Sequence, residues 1–166
     1  MIRDARVPDV RAIYDLLNKF SDQGQLLGRS LNSLYDNLRD FKVWEVPDGK
    51  GVLGAVAALH VCWGELAEIR SLAVAEDYQG QGLGRRLVRS CLAEVGTLGI
   101  ERVFVLTYEP DFFIKIGFEL IPRDELPHKV WSECLQCPKY PDCNEIALIW
   151  RSDAEKLPMN QGQVRL

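Results

Sequence analysis

The sequence predicts one domain of the mixed α/β (α+β) class, with a mostly antiparallel sheet flanked by helices. Three observations predict it. The chain has 166 residues, and 47% are hydrophobic against 27% charged, enough apolar surface to offset the entropy of ordering one core. Three strand-like runs follow one another with turn chemistry between them, an antiparallel meander. A long amphipathic pattern then separates the third run from a fourth, which is the signature of a crossover that returns parallel.

Taken in order, Asp9 to Phe20 carries Val10, Ile13, Leu16, Leu17 and Phe20 at helical spacing after Pro8, a residue that suits a helix start. Ser30 to Leu38 repeats the pattern with Leu31, Leu34, Tyr35 and Leu38, and Ser30 is placed to cap it. Phe41 to Val46 and Val52 to Cys62 flank the turn Pro47-Asp48-Gly49-Lys50-Gly51 and read as a hairpin. Leu66 to Val74 is the third strand of the meander. Leu83 to Leu98 lines one side of a helix with Leu83, Leu87, Val88, Cys91, Leu92 and Val95, and Gly99 stands where a left-handed residue ends such a helix. Val103 to Tyr108 is the parallel strand. Pro110 to Ile116 is a short helix ending at Gly117, Phe118 to Ile121 begins another strand, and Glu145 to Trp150 is the last. The segment Pro127 to Asp142 shows no period, and residues 151–166 form a polar tail beyond a domain of residues 1–150.

A net charge of −4 and a pI near 5.3 argue against nucleic acid, whose binding needs a basic face to displace counterions. The N-terminus runs into charge at Arg3, Asp4 and Arg6, and no apolar run approaches the roughly 20 residues that span a bilayer. The expected location is therefore the cytoplasm, with no membrane partner. Five cysteines in such a chain suit reduced thiols. Cys62 and Cys91, in apolar surroundings, read as buried small hydrophobes.

The stretch that carries chemistry is Gln79-Gly80-Gln81-Gly82-Leu83-Gly84, between a strand and a helix. Alternating glycines let backbone approach a bulky anion, and the orphan N–H groups and dipole of a helix N-terminus attract phosphate. A dinucleotide fingerprint would need G-x-G-x-x-G and an acidic residue about 20 positions on, and a Walker loop would need Lys-Ser or Lys-Thr where Arg85-Arg86 stands. Neither fits.

The run from Ser71 to Leu87, with Gln79, Gly82 and Gly84 matching Q/R-x-x-G-x-G/A, resembles the acetyl-CoA signature of the GNAT family of N-acetyltransferases. Phe112-Phe113-Ile114-Lys115-Ile116-Gly117-Phe118 is similar to that family's later helix-and-turn element. Leu26-Leu27-Gly28-Arg29-Ser30, Ala67-Glu68-Ile69-Arg70-Ser71-Leu72-Ala73-Val74 and Val103-Phe104-Val105-Leu106-Thr107 resemble the acetyltransferase domain of bacterial N-acetylglutamate synthases. The resemblance implies acetyl-CoA as cosubstrate, an amine acceptor with glutamate foremost, and a short form without the kinase-like domain of larger members. Another amino acid, a polyamine, a protein amine, or a non-catalytic acetyl-CoA sensor are the alternatives. A homodimer is common for such folds, though no interface is legible.

The resemblance also implies roles. Gln79, Gly80, Gln81, Gly82, Leu83, Gly84 and Arg85 would hold the cofactor's pyrophosphate, and the backbone of Leu72, Ala73 and Val74 would meet its amide chain and thioester. Glu68 corresponds to the strand glutamate that serves as general base, with Glu65 its nearest competitor. Arginine forks match carboxylates, so Arg29 and Arg70, with Thr107, are the acceptor candidates. Many relatives carry Tyr where this chain has Phe113, so the acid for the leaving thiolate falls to Tyr108 or Thr107, or to water. Cys134-x-x-Cys137-x5-Cys143 with His128 admits a structural zinc site, but the second half is a single cysteine and no metal is assigned.

Overall fold

The computed structural model describes residues 1–24, 28–127 and 144–152. Among them the strands are β1 (Ile2–Asp4), β2 (Phe41–Glu45), β3 (Leu53–Trp63), β4 (Leu66–Val74), β5 (Arg102–Thr107), β6 (Glu119–Leu120) and β7 (Ile146–Arg151). The α-helices are α1 (Val10–Asp22), α2 (Leu31–Asp36), α3 (Leu83–Leu98) and α4 (Pro110–Ile114). The strands form one sheet in the order β1-β2-β3-β4-β5-β7-β6, in which only β4 and β5 pair in parallel. This is the expected mixed fold, with the meander and the crossover where the residue patterns put them.

The two elements with the strongest patterns, β4 and α3, begin and end where expected. Gly99 ends α3 with φ 74°. Elsewhere the ends moved. A 3-10 turn over Val7–Asp9 precedes α1, which runs two residues past Phe20. Ser30 caps α2, its hydroxyl accepting the Ser33 N–H at 3.1 Å, but α2 stops at Asp36 and gives way to a 3-10 turn, Leu38–Asp40. α4 stops at Ile114, and Gly117 carries the chain round at φ 120°.

β1 has no counterpart in the sequence reading, because three residues among charges show no period. Tertiary partners hold it instead. Arg3 Nη1 and Nη2 donate to the two carboxylate oxygens of Asp9 at 2.8 and 2.9 Å, and Nε donates to Glu45 at 2.8 Å. The Arg3 fork and, beneath it, the Arg6 N–H hold the Asp9 carboxyl below its ordinary range despite its burial. One ion network thus ties the first strand, the start of α1 and the end of β2.

The core lies on both faces of the sheet. Ala55, Ala57 and Leu59 of β3 share a cluster with Leu83, Leu87, Val88, Cys91 and Val95 of α3, whereas Val56 and Ala58 pack with Val10, Ile13, Leu17 and Phe20 of α1. This is the two-residue alternation of a strand buried on both sides. Along β4 the alternation changes phase: Ala67 and Ile69 join the α3 side, but Ala73 joins the α1 side. The register supplies the reason. Arg70 opposes Ala58 and Ala73 opposes Val56, so three steps on β4 match two on β3, and Ser71 sits in this bulge with φ 56°.

Candidate active site

The same strand builds the site. β4 pairs with β5 only through Leu66, Ala67 and Glu68, opposite Arg102, Val103 and Phe104. Beyond them β4 stays with β3 while β5 stays with β7, from Val105 opposite Leu148 to Thr107 opposite Ile146. The two strands part like a V, and residues 69–74 have no strand partner on that side. The gap opens a cleft of about 870 Å³, within the size range of a small-molecule pocket.

Into this cleft face ten of the residues singled out from the sequence: Arg29, Glu68, Arg70, Leu72, Ala73, Val74, Gln79, Gly84, Thr107 and Tyr108. At one end stand Phe20 of α1 and Gln23 and Gly24 just past its end, together with Arg29. Gly28 makes that placement feasible. A Cβ there would lie 2.8 Å from Asn18 Oδ1 and 3.2 Å from Ser21 Oγ, so glycine lets the segment leading to α2 pass close to α1 without displacing those side chains. Glu68 is half-buried on the V's closed end. Glu65, its competitor, is exposed at the β3–β4 turn, accepts a hydrogen bond from Arg102 at 2.6 Å and does not line the cleft.

At the other end the chain leaves β4 through a 3-10 turn, Glu76–Tyr78, and enters α3. Gly80 and Gly82 adopt φ 79° and 78°, which a side chain would strain, and these conformations aim the first turn of α3 at the cleft's mouth. The N–H groups of Leu83, Gly84 and Arg85 precede the first intrahelical bond, from Arg86 N–H to the Gly82 carbonyl. Gly84 is also a floor: a Cβ would stand 3.3 Å from Phe112 Cζ and 3.7 Å from Val74 Cγ2. Open extended backbone, an unobstructed glycine floor and a free helix start suit a long ligand with amide groups at one end and phosphate at the other.

The Gln79 side chain donates to the Val74 carbonyl at 2.9 Å, so it braces the turn. Leu83 is buried in the α3 cluster, and only its N–H can reach a ligand. Gly80, Gln81, Gly82, Leu83 and Arg85 shape the mouth without lining the cleft. Phe113 is buried, edge-to-face with Phe112 at 4.9 Å and Phe118 at 5.3 Å, so it is a core ring. Thr107 Oγ1 accepts the Glu109 N–H at 2.9 Å, which leaves its own O–H to donate. Lys115 is exposed and away from the cleft. Cys62 and Cys91 are buried free thiols, as expected. His128, Cys134, Cys137 and Cys143 lie outside the described residues, as does the tail from 153 on. No group of three or more metal-ligating side chains occurs among the described residues.

The sequence reading assigned no site role to Ser71, whose bulge conformation depends on register with β3, or to Phe20 and Phe112, whose helical spacing reads equally well as core. It also passed over Asp40 and His60, which are distant in sequence and meet only in the fold.

Comparison with known proteins agrees with this geometry. The chain belongs to the acetyltransferase (GNAT) family, N-acetyltransferases that use acetyl-CoA, and matches that family over residues 10–118. It is 37% identical over 148 residues to an uncharacterised N-acetyltransferase of Chlorobaculum tepidum, covering 89% of this chain and 94% of that one. It is 37% identical over 140 residues to the amino-acid acetyltransferase of Mycobacterium tuberculosis, covering 84% and 79%. The fold superposes on N-acetylglutamate synthase from Neisseria gonorrhoeae complexed with coenzyme A and N-acetyl-glutamate, with a TM-score of 0.81 and 29% identity over 91% of this chain and 34% of that one. A M. tuberculosis protein solved with CoA superposes with a TM-score of 0.79 and 31% identity over 92% and 99%. The chain spans under a third of the longer amino-acid acetyltransferases such as that of Ralstonia nicotianae. No described helix is long and apolar enough to cross a membrane.

Proposed function

We propose that this chain transfers the acetyl group of acetyl-CoA to the α-amine of L-glutamate, making N-acetylglutamate in the cytoplasm as the first step of arginine synthesis, with residues 1–150 as the catalytic domain. The observation that carries the reading is one cleft holding both halves of the reaction: backbone and helix start for the cofactor at one end, and Glu68 with two guanidinium groups at the other.

Arg29 and Arg70 bind the acceptor's carboxylates, and the Thr107 hydroxyl adds a hydrogen bond. Glu68 removes a proton from the acceptor's ammonium group, directly or through water, because only the neutral amine can attack. The N–H groups of residues 72–74 on the open edge of β4 steady the charge that develops on the carbonyl oxygen. Tyr108, partly exposed at the end of β5, returns a proton to the leaving thiolate. The first turn of α3, at Leu83, Gly84 and Arg85, anchors the pyrophosphate. Amino-acid acetyltransferases among the relatives, and a solved relative containing N-acetyl-glutamate, support this acceptor.

A second acceptor class has one observation in its favour. Glu68, Glu76, Glu109 and Glu145 all line the cleft against Arg29 and Arg70, a balance that suits a cationic amine. The deciding experiment is CoA release with purified protein against a panel of amino acids and polyamines, in wild type, Glu68→Gln and Arg29→Ala. Glutamate turnover is expected to lose about 100-fold or more in kcat with Glu68→Gln. KM for glutamate should rise about 10- to 100-fold with Arg29→Ala, the worth of a charged hydrogen-bonded fork. Turnover of a polyamine with glutamate inert sinks the glutamate reading and keeps the acetyltransferase. Acetyl-CoA binding with no turnover of any amine favours a sensor.

A further inference from the structure

On β3, one strand away from the cleft, His60 stands directly opposite Glu68 in the antiparallel register. Opposed residues project from the same face of a sheet, with Cβ atoms about 4.5–5.5 Å apart. His60 Nδ1 lies 2.7 Å from Asp40 Oδ2, at the end of the 3-10 turn before β2. A carboxylate can only accept, so Nδ1 carries the hydrogen, and in the neutral ring Nε2 keeps its lone pair. The His60 side chain is 25% exposed and that of Asp40 23%, and neither residue lines the cleft. The charged groups that the register brings round the ring are Asp40, Glu68 and Arg70, the last opposite Ala58 two residues away.

Acyl transfer from a thioester to an ammonium group releases one proton net: the nitrogen loses two, and the thiol takes one. The half-buried base must therefore pass one proton to solvent in each turnover. We propose that Asp40 and His60 form the exit for that proton, a relay behind Glu68. The proposal rests on the assignment of Glu68 as general base. The acceptor's N–H proton moves to a Glu68 carboxylate oxygen. Glu68 then passes it through one bridging water to His60 Nε2, while Nδ1–H stays hydrogen-bonded to Asp40. The partly exposed imidazolium releases it to bulk water, and both Glu68 and His60 return to their starting forms; the nitrogen's second proton replaces the one that Tyr108 gives the thiolate, so one proton leaves net. Asp40 sets the tautomer and offsets the transient positive charge, as an orienting carboxylate does for a catalytic imidazole. His60 and Asp40 are positioning residues, since neither touches the acceptor.

The test compares His60→Gln, His60→Ala and Asp40→Asn with Glu68→Gln by CoA release, using whichever amine the wild type acetylates. In His60→Gln and Asp40→Asn kcat should fall about 10- to 100-fold, within or below the range for a group that moves a proton at the reacting atom, with KM for acetyl-CoA unchanged. Imidazole added to the buffer should restore part of the turnover of His60→Ala and none of that of Glu68→Gln, a rescue that a purely structural His60–Asp40 tie would not give. Should His60→Gln fail to fold, Asp40→Asn carries the measurement. Wild-type kcat in both relay variants with Glu68→Gln inactive overturns the relay and leaves the base. Absence of imidazole rescue in a folded, impaired His60→Ala overturns it too. Wild-type activity in Glu68→Gln removes the base itself, and the relay with it.

Discussion

Substituting Gly54 by alanine would put a methyl group where two aromatic rings already are. Its Cβ would stand 2.6 Å from Trp44 Cζ3, 2.7 Å from Cε3 and 2.9 Å from Tyr78 Cδ2. In an ordinary strand the change would help, since alanine restricts the unfolded chain and adds about 0.4–1 kcal/mol of stability. Here overpacking costs about 1–3 kcal/mol, and burial decides which wins: Trp44, which meets the two closest contacts, is 7% exposed and packed edge-on against Tyr78 at 5.2 Å, so its ring has little room to retreat. A net loss of about 1–2 kcal/mol corresponds to a Tm lowered by about 2–8 °C for a domain of this size. The strain also reaches the site. The Gly54 carbonyl accepts the Ala75 N–H at 2.8 Å, and Tyr78 belongs to the turn that leads to Gln79 and the α3 N-terminus. KM for acetyl-CoA should therefore rise while KM for the acceptor holds. Scanning calorimetry with steady-state kinetics reads both quantities. A Tm equal to or above the wild type's would refute the argument, because the entropic gain would then have prevailed over the clash.

Asp9→Asn should cost about 3 kcal/mol, the low end for breaking a partly buried pair, measurable by urea unfolding. Because the Arg3 fork depresses the Asp9 carboxyl, its contribution is complete above the unfolded carboxylate's range and is lost as pH falls through the lower folded value; the wild type should lose stability from about pH 4 downward more steeply than Asp9→Asn. Gly82→Ala, at φ 78°, should lower stability by about 1–2 kcal/mol and weaken acetyl-CoA binding in calorimetry, whereas Gly96→Ala, inside α3 with open space at its Cβ, should stabilise by up to about 1 kcal/mol. Burial pushes the Cys91 thiol up to about 12, so peptide mapping after iodoacetamide treatment at pH 8 should find Cys91 unlabelled in the native protein and labelled after denaturation.

The strongest periodic patterns, those of β4 and α3, located the strand and helix that make the site, and the glycine spacing between them located the cradle. Local physics suffices there: alternating burial sets a strand, an apolar stripe sets a helix, and positive φ selects glycine. Glu68, Arg29 and Thr107 could be named from motif resemblance, but their meeting could not be derived, since they come from three separate segments. That decision belongs to the sheet. The parting of β4 from β5 after Glu68 follows from which strand each prefers as a partner, and the change of phase at Ser71 from one extra residue against β3. β1 needed the Arg3–Asp9–Glu45 network, and the Gln79 amide turned inward to Val74. Asp40 and His60, 20 positions apart, became a pair only when the strands came into register. Sequence alone determined which residues could carry the chemistry; strand pairing, a long-range matter no local pattern encodes, decided which of them share a cleft.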